Sequence, residues 1–262
     1  MQLSDKVVVV TGASMGIGEA LAKAFVDEGA RGVLLSRDAG RADAARTRVG
    51  NLENTMALSC DVRHREEIDR VISLTIHHFK RIDLWINNAG HGLSDSIASV
   101  EKSACRDTFD TNLFGAIECM QGVIPIMRQQ GGGTIINVSS VAGHIPLPYN
   151  GIYSATKFAL NAVGNAARIE LKKDNIQVLN ICPGYVRTDF GNNAIQGINS
   201  KNIRPASQRG ISAQRVAKTV VKAYLKQKRE IIVPWYMHLP VKIYQLLPSV
   251  VERAMLRMVQ AR

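Results

Sequence analysis

Val7-Val8-Val9-Val10-Thr11-Gly12-Ala13-Ser14-Met15-Gly16-Ile17-Gly18-Glu19-Ala20-Leu21-Ala22 decides the fold. Four successive valines suit a strand buried on both faces, as in a parallel sheet covered by helices on each side. A glycine-rich turn follows. Apolar residues then recur at helical spacing, at Ile17, Leu21 and Phe25. A strand, a Gly-rich turn and a helix in that order form the context of a dinucleotide-binding turn. Its glycines let the backbone approach a pyrophosphate, whose charge meets the helix N-terminus.

Outward from this unit, apolar runs alternate with amphipathic stretches. Strands are expected at 7–10, 32–36, 55–61, 84–88, 134–139 and 177–182, with helices near 16–29, 39–50, 65–79, 99–129 and 151–173. A helix near 212–228 and the strand Glu230-Ile231-Ile232-Val233-Pro234 complete the pattern. Right-handed crossovers then predict an α/β fold: one doubly wound parallel sheet of about seven strands, order 3-2-1-4-5-6-7, with helices on both faces. The domain is expected over 1–234. It includes an irregular stretch over 183–211, within which 189–211 reads as a substrate loop. Residues 235–262 read as a basic, apolar, helical extension.

Composition narrows the function. The chain has 262 residues, 46% of them hydrophobic and only 5% aromatic, so branched aliphatics must build the core. Cys60, Cys105, Cys119 and Cys182 lie far apart without a CxxC pair, and the six histidines are scattered. No metal site is expected, and the cysteine usage suits a reducing, cytoplasmic setting. No leader-like stretch precedes Val7, and no apolar run approaches the ~18 residues of a spanning helix. The net charge of +11 is localised: residues 1–200 balance 20 basic against 20 acidic side chains, and 201–262 hold 13 against 2. Those bases alternate with apolar residues and form no nucleic-acid module, so nucleic acid is not the expected partner.

Three further features carry chemistry. After the second strand, Ser36 stands where an NAD-specific site places an acid on the ribose 2′-OH, and Arg37 follows. An arginine there pairs with a 2′-phosphate, which favours NADP(H) over NAD(H). Asn87-Asn88-Ala89-Gly90 closes the fourth strand with a turn of small residues. Tyr153 and Lys157 share a helix face at i, i+4, and an ammonium near the phenol is expected to lower its pKa. Such a tyrosine exchanges a proton with a carbonyl or alcohol oxygen. Ser139-Ser140 ends a strand just before it and offers a hydroxyl to that oxygen.

With these motifs in order over about residues 5–190, the chain resembles the short-chain dehydrogenase/reductase family. The resemblance implies a catalytic set of Asn112, Ser140, Tyr153 and Lys157, with Ser140 selected over Ser139 because it lies 13 residues before the tyrosine. It implies a cofactor site of Gly12, Ser14, Met15, Gly16, Ile17, Gly18, Ser36, Arg37, Asp61, Val62, Asn88, Ala89, Gly90, Tyr153 and Lys157. Pro183, Gly184, Val186 and Thr188 of the PGxVxT segment join it. Asp61 matches the acid that contacts the adenine, and Thr188 the residue that meets the nicotinamide carboxamide. Substrate would meet Ser140 and Tyr153, with His91, His144 and Tyr185 as bordering candidates. Association as a homodimer or homotetramer through the helices near 99–129 and 151–173 is also implied.

The far end lacks the TG-hydrophobic-DGG segment of 3-oxoacyl-(acyl-carrier-protein) reductases and is similar instead to members acting on hydroxysteroids and retinol. That implies an apolar carbonyl or secondary alcohol as substrate, with a 3-oxoacyl reductase as the alternative. A non-catalytic nucleotide-binding regulator, or a basic-tail membrane adaptor, is the alternative from another class. Pro240 and Pro248 predict two short helices in the tail rather than one. These pack on the cleft, on a dimer partner, or on an anionic membrane surface.

Overall fold

The computed structural model describes residues 3–197 and 210–260. Seven parallel strands form the sheet: β1 (Val7–Val10), β2 (Arg31–Ser36), β3 (Thr55–Ser59), β4 (Leu84–Asn87), β5 (Gly133–Val138), β6 (Ile176–Pro183) and β7 (Glu230–Val233). Neighbours across the sheet run β7-β6-β5-β4-β1-β2-β3, which is the expected order. The register pairs Val8 with Gly32 on one side and with Leu84 on the other.

Strand alternation divides the core in two. Val8 and Val10 face α1 (Gly16–Asp27) and, later in the chain, α7 (Ala213–Leu225), joining Leu21, Phe25, Val216 and Val220. Val7 and Val9 face the opposite layer, where α3 (Arg65–Phe79) and α5 (Gly115–Gln129) contribute Ile68, Val71, Met120 and Val123. Each of the four valines is at most 1% exposed. Full burial of such a side chain stabilises by about 1.5–3 kcal/mol. Around these lie α2 (Ala39–Val49), capped by the Asp38 carboxylate, and α6 (Gly151–Glu170).

Three expectations are refined. The helix expected over 99–129 begins as α4 (Lys102–Phe109), opens into a π-helical turn at Asp110–Phe114 and resumes as α5. The stretch after β6 is not wholly irregular. Val186–Arg187 pairs with Ile211–Ser212, and Ile195–Gln196 pairs with Leu93–Ser94 beyond β4. Of the substrate loop expected over 189–211, residues 198–209 lie outside those described. The tail forms α8 (His238–Leu246) and α9 (Pro248–Gln260), divided at Pro248. Pro240 sits in the first turn of α8, where its missing N–H breaks no helical bond. Val241 anchors the tail among Val141, Ile145, Cys182 and Ile232.

Candidate active site

All the motif residues gather at the carboxyl ends of the strands, where ligands bind in such sheets. Gly12 and Gly16 both hold φ near +61°, a conformation open to glycine at little cost. A Cβ on Gly12 would lie 2.9 Å from Ala89 Cα, so the turn and the Asn88-Ala89-Gly90 segment are in backbone contact. Thr11 ties them together: its Oγ1 accepts from the Asn88 and Ala89 N–H groups at 2.9 and 3.0 Å. Asn88 Nδ2 donates back to the carbonyls of Thr11 and Gly12 at 3.0 Å each. Met15 precedes α1 without capping it by a side-chain hydrogen bond, so Ile17 and Gly18 open a helix end suited to a phosphate. A Cβ on Gly18 would strike the Gly12 carbonyl and Asn88, which keeps this cradle open only to glycine. The strand, turn and helix therefore fit a dinucleotide.

At the adenosine end, Ser36 is buried and Arg37 exposed. The nearest acid, Asp38, accepts from the Arg41 N–H at 2.7 Å and is committed to capping α2. Asp61 already has a partner within the chain. Its carboxylate is clasped by Arg63 at 2.6 Å, and Arg63 reaches on to Asp107 at 2.6 Å. Burial pushes the Asp61 carboxyl up, but the Arg63 hydrogen bonds outweigh it and hold the group below the usual range. Val62 is buried beside it, against Gly115.

Around Tyr153 the geometry separates the two serines. Ser139 is buried and its Oγ donates to the Lys157 carbonyl at 3.2 Å, inside α6. Ser140 neighbours the Tyr153 phenol, and its Oγ donates to the Pro183 carbonyl at 3.4 Å and accepts from the Ala142 N–H at 3.0 Å. Lys157 Nζ lies 5.7 Å from the Tyr153 ring centre and donates to the Val138 carbonyl at 2.9 Å. Asn112 sits in the π turn, fully buried. Its amide accepts from the His91 N–H and donates to the His91 carbonyl, both at 2.9 Å. Gly90 allows this approach, since a Cβ there would lie 2.8 Å from Asn112 Oδ1 and 3.8 Å from Lys157 Nζ. Asn112, Ser140, Tyr153 and Lys157 thus lie close to one another at this end of the sheet.

The expected lowering of the tyrosine pKa is not what this geometry gives. Burial pushes the Tyr153 phenol up to about 12, against the neighbouring Ser140 hydroxyl, and pushes the Lys157 ammonium down to about 8. The lysine is itself desolvated and engaged with a backbone carbonyl, so its field on the phenol does not compensate. Neither bordering histidine turns to the tyrosine. His91 directs its ring to Asp107 and Thr108, both at 3.4 Å. His144 lies 3.3 Å from Cys182. Tyr185 is exposed, with its carbonyl bound by the Ile211 N–H at 3.1 Å.

The segment after Pro183 and Gly184 folds over the cleft. Val186 is held by its short pairing, and Thr188 lies 3.3 Å from where a Cβ of Gly16 would stand. Asn193 donates to the Met15 sulfur at 3.6 Å. Phe190, 42% exposed, brings its ring within 5.7 Å of Tyr153. Phe190 was not singled out in the sequence. It packs beside Gly92, whose Cβ would lie 3.3 Å from that ring, a contact that no local motif signals.

Comparison with known proteins agrees. The family model described as short chain dehydrogenase matches residues 6–199. An uncharacterized oxidoreductase of Staphylococcus epidermidis is 34% identical over 224 residues, covering 85% of this chain and 92% of that protein. Dehydrogenase/reductase SDR family member 7B of Danio rerio is 31% identical over 239 residues, covering 88% and 77%. Among solved structures, a short-chain dehydrogenase/reductase from Burkholderia phymatum in complex with NAD superposes with a TM-score of 0.86 at 21% identity, covering 95% and 96%. The chain is a member of the short-chain dehydrogenase/reductase family, an oxidoreductase of CH–OH and C=O groups built to hold a nicotinamide cofactor.

Proposed function

We propose that this chain is an NADP(H)-dependent oxidoreductase acting on the carbonyl or secondary alcohol of an apolar compound, such as a steroid-, retinoid- or lipid-like ketone. The observation that carries this reading is Lys157 Nζ 5.7 Å from the Tyr153 ring centre, with Ser140 neighbouring the phenol, at the same end of the sheet as the close-packed glycine turn. Bound nicotinamide supplies the hydride chemistry. Tyr153, pushed up to about 12, is protonated at neutral pH and is the acid for a carbonyl oxygen. Ser140 orients that oxygen, and Lys157 is placed to hold the nicotinamide ribose. Asn112 fixes the backbone at His91 from both sides. Phe190 gives the substrate side an aromatic surface beside Tyr153.

NADP(H) is favoured because Ser36 supplies no acid, Asp38 is occupied as a helix cap and Arg37 stands free to meet a 2′-phosphate. The functional unit is a homodimer or homotetramer through α5 and α6, which leave Phe158 and Ile169 exposed. Phe114, in the π turn before α5, is 52% exposed as well. Among the described residues no helix is long and apolar enough to cross a membrane. A cytoplasmic protein touching a membrane at most through 235–260 fits that. The test is a pair of fluorescence titrations with NADPH and NADH. Selective NADPH binding, weakened in Arg37→Ala far more than NADH binding, is expected. Equal weakening of both sinks the cofactor assignment.

A further inference from the structure

His144, Cys182 and Glu230 are scattered in the sequence, and no step proposed above uses them. The fold nevertheless brings one ligand-type atom from each within 4.8 Å of the others. Three elements converge to do this. His144 ends the 3-10 turn Val141–Gly143, Cys182 lies near the end of β6 and Glu230 opens β7. The register sets Glu230 opposite Asn180 and Ile232 opposite Cys182. With a side-chain period of two, Glu230 and Cys182 share one face of the sheet.

The distances suit a shared ion, although His144 and Cys182 are also within hydrogen-bond reach of each other. His144 Nε2 lies 3.3 Å from Cys182 Sγ and 3.7 Å from Glu230 Oε2. The second is too long for a hydrogen bond. Metal–ligand lengths of about 2.3 Å to sulfur and about 2.0–2.2 Å to nitrogen or oxygen, set tetrahedrally, put neighbouring ligand atoms roughly 3.3–3.6 Å apart. The His144–Cys182 and His144–Glu230 pairs already stand near that spacing, and all three ligand atoms lie within 4.8 Å of one another. A thiolate, an imidazole and a carboxylate form a borderline-soft set, which selects zinc over magnesium or calcium.

Outer contacts position the segments that carry the ligands. Asn161 Nδ2 donates to the Gly143 carbonyl at 3.0 Å and lies 3.5 Å from His144 Nε2, while its Oδ1 accepts from the neutral Cys182 thiol at 3.7 Å, a contact given up when the thiolate ligates. Cys182 is fully buried, whereas Glu230 is partly exposed and marks the entry side. His238 and Lys242, from α8, face His144 and oppose a cation, as does Lys157 on the Cys182 side. Three protein ligands leave the fourth position to water. We propose that His144, Cys182 and Glu230 bind one zinc-class divalent cation, with Cys182 releasing its proton to solvent and ligating as thiolate.

Cobalt(II) is the probe, because a cobalt thiolate absorbs where the free ion does not. Full-length, untagged protein, stripped with chelator, is titrated with cobalt chloride and then with zinc chloride. A sulfur-to-cobalt charge-transfer band that saturates at one equivalent and is bleached by zinc is expected. Cys182→Ser should abolish the band, Cys105→Ser should keep it, and Glu230→Gln should weaken cobalt binding at least about tenfold. A wild-type protein without the band, or a band that survives Cys182→Ser, overturns the site. Should Cys182→Ser fail to fold by circular dichroism, Glu230→Gln decides alone, because unchanged cobalt affinity there overturns the site as well. No arm depends on hydride transfer, so failure of the cofactor reading leaves the result intact.

Discussion

Ser139 and Ser140 carry the same side chain and meet different surroundings. The first is buried with its hydroxyl on a helix carbonyl, and the second reaches the phenol of Tyr153. Ser140→Ala is therefore expected to lower kcat/KM by about 10²-fold while leaving the unfolding midpoint nearly unchanged. Ser139→Ala should do the reverse, costing about 1 kcal/mol of stability with little loss of turnover. Steady-state kinetics and urea titration on the two variants separate these outcomes, and equal kinetic losses would refute the division. Lys157 gives a second expectation. With its pKa lowered to about 8, the ammonium loses its proton as pH rises through 8. Nicotinamide-cofactor affinity should fall over that range, and Lys157→Met should bind weakly at every pH without a break near 8. A wild-type dissociation constant flat from pH 7 to pH 9 would count against it.

At this scale, much of the site was legible because its motifs are local. Gly12 to Gly18, Asn88 to Gly90 and Tyr153 to Lys157 each lie within one turn or helix, so spacing carries the geometry. Partners drawn from elsewhere were not legible. Nothing in the spacing of Asp61 says that Arg63 folds back onto it and bridges to Asp107. Nor does it say that the His91 and His144 rings find other neighbours than Tyr153. Phe190 reaches that tyrosine only because a separate segment folds across the cleft.

The elements hold these residues in place partly through a row of buried amides. Trp85 Nε1 donates to Asn87 Oδ1 at 2.9 Å, Asn87 Nδ2 to Asn137 Oδ1 at 2.9 Å and Asn137 Nδ2 to Asn180 Oδ1 at 3.2 Å. Asn180 Nδ2 then donates to the Asn161 carbonyl of α6 at 3.3 Å, one turn beyond Lys157. The row crosses β4, β5 and β6 in register and ends on the helix that carries Tyr153. Asn137→Leu leaves the Asn87 donor and the Asn180 acceptor without partners. At about 1–3 kcal/mol for each orphaned group, a loss of roughly 2–6 kcal/mol is expected in urea unfolding. A loss below about 1 kcal/mol would show that the row contributes little. The π turn at Asp110–Phe114 was hidden for a related reason. Helical periodicity reads through one extra residue, and only the three-dimensional demand of seating Asn112 against His91 shows why the helix widens there.

The order of the whole sheet follows from its apolar strands and right-handed crossovers, which is why it is legible in the sequence. The molecular surface is less predictable, because exposure depends on what each helix covers. The tail packs through Val241 on one side, yet leaves Trp235 76% and Leu246 77% exposed on the other. On α6, Ile169 is 74% exposed. Ile169→Lys, with Phe158→Glu, places charge in the face proposed to join two copies. Sedimentation velocity is expected to show the wild type as a dimer or tetramer and the double variant as a monomer. An unchanged assembly would move the interface elsewhere.

The strip from Val186 to Gln196 lies across the cleft, with Thr188 against Gly16, Asn193 on Met15 and Phe190 beside Tyr153. A molecule seated against Tyr153 and Phe190 stands in the way of anything lying beneath the strip on the glycine turn. Arrival and departure are then expected to form a queue, the nucleotide first in and last out; product-inhibition patterns showing random order would count against it.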